Sequence, residues 1–189
     1  IWDPVARTLT DRVSGDLLAE PADAAALAAA ALKWRAARGL ARWAPARGLE
    51  VRLAEGDGRH RVGQSITITV AANAAAPEHR FLTLLNLAGD GKVQYVFPSP
   101  VHEARGTDRL DPPGAPPRRF GPIPVIEPVG ADTLLAVATR ERPDALRAAL
   151  RALDGHADPE GLLEVLRRHA AEAAEARVGL LPIFTGRRP

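Results

Sequence analysis

Several groups of residues have types and spacings that could do chemistry. Ser99, His102 and Asp108 carry the hydroxyl, imidazole and carboxylate of a serine hydrolase triad. Such a nucleophile normally sits on a sharp Gly-x-Ser-x-Gly elbow, whereas here the local sequence is Phe97-Pro98-Ser99-Pro100. The plainer reading is a chance cluster in a polar loop. Asp154, His156 and Asp158 alternate, so an extended strand would aim two carboxylates and an imidazole at one divalent cation. Against this stands a helix–helix connection in which Asp158 caps the second helix. Glu78-His79 sets an acid beside a base, but neighbouring side chains on the approach to a hairpin diverge into solvent. Gly89-Asp90-Gly91 precedes a strand and lacks a following Gly-Lys-Ser/Thr, so it reads as a turn and not a phosphate loop.

The arginines offer binding chemistry instead. Arg35, Arg38 and Arg42 recur at helical spacing beside Lys33, with Trp34 and Trp43 close by. A basic stripe next to aromatics suits an acidic partner surface, nucleic acid or an anionic membrane. The tryptophans fall on the apolar stripes of the same segment and are assigned to packing, which leaves the arginines as contacts for a protein and not for nucleic acid. Arg118 and Arg119, in a proline-rich stretch, form a second pair able to grip a carboxylate, with a merely solubilising loop pair as the bland alternative. These five arginines are the candidate partner contacts. No catalytic, metal or cofactor residue is assigned.

Composition bounds the reading. The chain has 189 residues, enough for one domain with a proper core. It has no Cys, which removes disulfides, thiolate zinc sites and a cysteine nucleophile. It has no Met either, so the expectation is a fragment or processed product whose compartment, cytoplasmic or exported, is left open. Net charge is only +2, weak support for a polyanion partner. The longest purely apolar run, residues 24–32, falls far short of the roughly 20 residues a bilayer span requires, so a soluble chain without a membrane span is expected.

The elements that would position these groups are legible as patterns. Residues 66, 68 and 70 are apolar against threonines at 67 and 69, the alternation of a half-buried strand. Residues 81–87 are apolar on both faces, as in a strand covered on each side. They run into Gly89-Asp90-Gly91 and return as 92–97, with Val93, Tyr95 and Phe97 predicted on one face: a β-hairpin. Residues 22–43 predict a helix with one stripe of Leu27, Ala30, Ala31, Trp34, Ala37 and Ala41 and a second of Leu32, Ala36, Leu40 and Trp43. Residues 1–20 read as a packed arm with a turn at Val13-Ser14-Gly15-Asp16, and 49–54 as a first strand. Residues 98–128 are crowded with proline and predict a long surface loop with short extended pieces such as 123–126. Strands at 132–139 and 177–184 bracket helices at 143–153 and 159–175, the latter opened by Asp158-Pro159.

The fold expectation is therefore α+β: an antiparallel β-sandwich or barrel-like core with an N-terminal helix and a helical pair (143–175) inserted before the last strand. Residues 1–48 are assigned to the arm and packing helix, and 49–189 to the β domain.

The ordered set HRVGQSITITV, FLTLLNLAGDGKVQYVFPSP and FGPIPVIEPVGADTLLAVAT resembles a bacterial domain family of unassigned function. That family is found C-terminal to caspase-like peptidase domains of the metacaspase or orthocaspase type. The resemblance covers about residues 61–139, with 177–184 as the closing strand. Gln64 stands where the family has an acid, Phe81 where Tyr is common and Ser99 where Asn is common. It implies a noncatalytic accessory or regulatory module whose partner is an upstream peptidase domain or its other fragment, with the catalytic His and Cys upstream. The alternative is a stand-alone scaffold or adhesion module that captures a protein through the proline-rich stretch.

Overall fold

The computed structural model describes residues 1–10, 17–20, 23–43, 49–72, 78, 80–127, 129–172 and 176–186. The turn expected at Val13–Asp16, and His79, lie outside the described residues.

The arm is a small antiparallel sheet of β1 (Trp2–Asp3), β2 (Thr8–Thr10) and β3 (Leu17–Ala19). Helix α1 (Ala24–Trp43) follows. It starts at Asp23, whose Oδ1 accepts the Ala26 N–H at 2.8 Å and so satisfies one free donor of the first turn. Next come β4 (Leu49–Leu53), β5 (Arg59–Arg61), β6 (Ser65–Ala72), β7 (Phe81–Leu87), β8 (Val93–Phe97), α2 (Pro100–Ala104), β9 (Arg118–Pro124), β10 (Gly130–Thr139), α3 (Asp144–Ala152), α4 (Pro159–Glu172) and β11 (Arg177–Gly186).

Two further sheets face one another. One has the order β5-β11-β10-β7-β8, antiparallel except for the β11–β5 pair; the other is β4-β6-β9, antiparallel throughout. Neither closes into a barrel, so the expected α+β fold holds in its sandwich form. The helical pair sits in the connection between β10 and β11, which are neighbours in register from Gly130↔Thr185 to Ala138↔Arg177.

The doubly apolar β7 is explained by what covers it. Its even positions Leu82 and Leu84 join Ile68, Val70, Leu134 and Ala136 between the two sheets. Its odd positions Leu85 and Leu87 join Ala36 and Leu40 of α1, Leu150 of α3 and Leu162 and Leu166 of α4. The molecule is thus three layers deep: helices, five-stranded sheet, three-stranded sheet. Fully burying each such leucine is worth about 1.5–3 kcal/mol.

The hairpin forms as expected: Gly91 takes φ 85° and the Ala88 N–H donates to Lys92 O at 2.9 Å. The shared face of β8 is corrected, however. Leu84 pairs with Phe97 and Leu85 with Tyr95, which leaves Val96 as the extra residue of a β-bulge. Val93 and Tyr95 therefore pack on the helix side, while Phe97 turns into the core between the sheets.

The long loop at 98–128 is also corrected, because α2 and β9 lie within it. Strand β9 pairs with β6, Thr69↔Arg119 and Ile66↔Ile123 among the partners. Prolines 122 and 124 fit because β9 is an edge strand, where a missing donor leaves no ladder bond broken. In α1, Ala36 and Leu40 face the core, whereas Leu32 is 39% exposed.

Candidate functional site

The triad-like residues are brought together only in part. Ser99 precedes the single turn of α2, and its Oγ lies 2.7 Å from His102 Nδ1, to which the Ser99 N–H also points at 3.3 Å. This is a capping box with imidazole in place of the usual N3 Glu or Gln. The His102 ring rests against Phe97, centroids 4.8 Å apart. Asp108 turns instead to Arg147, at 2.6 Å.

Arg147 is the hub of a buried polar network that the sequence did not reveal. Its side chain has no exposure and donates to Asp108 Oδ2, to Glu103 Oε1 at 3.1 Å, to Leu82 O at 3.0 Å and to Thr83 Oγ1 at 3.2 Å. Arg151, one helical turn on, donates to the same Glu103 oxygen at 2.7 Å and lies over the Tyr95 ring at 4.8 Å. The network ties α3 to β7 and to the segment around α2. A buried arginine is tolerated there because every charge in reach is matched by a hydrogen bond.

The other clusters are likewise occupied by structural contacts. Asp154 Oδ1 accepts the Tyr95 N–H at 2.8 Å, His156 Nδ1 lies 3.0 Å from Asp154 O, and Asp158 Oδ1 accepts the Gly161 N–H at 2.8 Å as the N-cap of α4. Among the described residues no three His, Asp or Glu side chains are grouped to hold a metal ion. Glu78 pairs with Arg140 at 3.4 Å.

A second missed feature is Lys33, on the inward side of α1 and only 3% exposed. Burial pushes its amine down to about 8, with Asp132 and Asp90 pulling the other way. Asp132 is held above the usual carboxylate range by burial, opposed by the Asn86 amide that donates to its Oδ2 at 3.1 Å.

Arg35, Arg38 and Arg42 do share one place. They line a cleft of about 850 Å³ between the arm, α1 and α4. Its floor is apolar, with Leu18, Ala30 and Leu163 buried and Trp34 half-buried. Its rim is basic, because α4 adds Arg167 to the three arginines of α1. Glu160 is the one carboxylate among the lining residues, and it pairs with Arg35 across the helix interface. The contribution of α4 was readable in principle: Glu160, Leu163 and Arg167 follow i, i+3, i+7 and must share one helix face. A cleft of this size falls within the range of binding pockets, and its groups are binding groups. Guanidinium forks match carboxylates, and indole and leucine surfaces match apolar side chains.

Arg118 and Arg119 lie on β9, in the opposite cover of the central sheet from α1. Arg118 is an internal brace: it donates to Arg109 O and stacks over Phe97 at 4.7 Å. Arg119 is exposed. The two arginine groups therefore cannot serve one contact patch.

Among the described residues no helix is long and apolar enough to cross a membrane. Compared with family models, curated proteins and solved structures, the chain finds no match.

Proposed function

We propose that this chain is a noncatalytic accessory module that docks a protein partner, and that the partner in its parent protein is a caspase-like peptidase domain. The observation that carries the docking role is the cleft itself: the three helix arginines singled out in the sequence line it together above an apolar floor. The peptidase setting is supported by the ordered strand motifs across residues 61–139. The noncatalytic reading is supported by the engagement of Ser99 and His102 in a helix cap and of Asp108 in an ion pair.

The test is the full reading frame and its product. An upstream domain with a His/Cys pair is expected, and chemical cross-linking of the intact protein should join that domain to α1 or α4. A frame without such a domain removes the peptidase setting. Cross-links that avoid both helices remove the docking role assigned to the cleft.

A further inference from the structure

We infer that the cleft receives an acidic, extended peptide segment with apolar residues on its alternate positions; this rests on the docking reading above and names the chemistry of what docks. Charge is the first argument. Four arginines face one carboxylate in the lining, and that carboxylate, Glu160, is already paired with Arg35. Arg38, Arg42 and Arg167 meet no acid among the described residues and all three are exposed. A segment that brings carboxylates to them forms new pairs without breaking existing ones.

Spacing is the second argument. Arg38 and Arg42 are one helical turn apart, about 6 Å along the axis of α1. Same-face residues of an extended chain repeat at about 7 Å, so carboxylates at alternate positions fall in step with the two guanidinium groups. The intervening residues then point away from the two guanidinium groups, toward the apolar lining that α4 supplies at Leu163. The floor favours apolar side chains over a nucleic-acid strand, because bases would stack on its single indole while Leu18 and Leu163 offer them no aromatic platform.

The probe is a synthetic peptide of alternating glutamate and leucine, titrated calorimetrically into the full chain. Its lysine–leucine counterpart, a single-stranded DNA oligomer and decanoate serve as comparisons. Saturable binding of the acidic peptide is expected, weakening as salt screens the rim. The double variant Arg38→Glu/Arg42→Glu should bind about tenfold more weakly or worse, since each exposed ion pair contributes up to about 1 kcal/mol and reversal adds repulsion. Trp34→Ala should weaken binding at unchanged salt dependence, because it removes floor and not rim. Far-UV circular dichroism confirms that the variants are folded. Equal binding of the lysine–leucine peptide, preference for DNA or decanoate, or an undiminished affinity in the double variant each overturns the inference. Its failure is distinguishable from failure of the docking role: cross-links from the partner domain to α1 or α4 would persist if only the peptide chemistry were wrong.

Discussion

Arg147 Nη1 and Asp108 Oδ2 meet at 2.6 Å with side chains 0% and 2% exposed, joining the helical layer to the segment that follows α2. Removing Arg147 strands the buried Asp108 carboxylate, and removing Asp108 leaves the buried guanidinium with only Glu103, which it shares with Arg151. Asp108→Ala and Arg147→Ala are each expected to lower unfolding free energy by about 3–5 kcal/mol in urea titrations. The double variant Arg147→Met/Asp108→Leu, which leaves no charge unpaired there, should recover much of the loss. Additive losses in the double variant would show that the pair is not a coupled unit.

Lys33 predicts a particular alkaline response. Its amine titrates at about 8 when folded and at 10.5 ordinarily, so between these values the unfolded chain holds the extra proton. Stability must then rise as pH increases from about 8 toward 10.5, and below 8 the cost of burying the charge is constant. Lys33→Met should abolish that rise in denaturation midpoints and stabilise the protein at neutral pH. A persistent rise in the variant would assign it to another group.

Tyr95 acts in the opposite direction at higher pH. Burial raises its phenol to about 12 from 10.0, so the folded chain holds the extra proton and stability falls as pH passes from 10 to 12. Its hydroxyl is buried without a hydrogen-bond partner among the described residues. An unsatisfied group of this kind costs about 1–3 kcal/mol, so Tyr95→Phe should raise the thermal midpoint and flatten the alkaline fall. A lowered midpoint would mean that the hydroxyl has an acceptor.

At Gly179 strand β11 packs tightly against β4. A Cβ placed there would lie 2.5 Å from Val51 Cγ2 and 2.9 Å from Leu49 O. The backbone oxygen cannot rotate away, so Gly179→Ala should destabilise by about 1–3 kcal/mol through forced separation of the layers. Calorimetric melting with an unchanged midpoint would show that the two strands can part freely.

The strands were legible because their patterns are local: the threonines at 67 and 69 and the two-faced run at 81–87 each report burial at their own position. Phe97 was misread because a bulge depends on partner register, which no single strand encodes. The edge strand β9 was hidden by its prolines, which are compatible with pairing only on one side. The arginines of α1 were found from helical spacing, but the cleft needs α4, more than a hundred residues away in sequence. Arg147 and Lys33 were invisible as buried groups, since both types are ordinarily exposed and only long-range partners bring them inside.

The cleft is built from the arm, α1 and α4, whereas the strand motifs of residues 61–139 span the β layers. Under the proposed docking role, scaffold and recognition surface are carried by different stretches of chain. A relative that kept the strands but replaced the first forty-odd residues or the segment between β10 and β11 would retain its architecture while changing its choice of partner. Partner choice could then diversify by exchange of helices at the periphery, with the sandwich beneath left untouched.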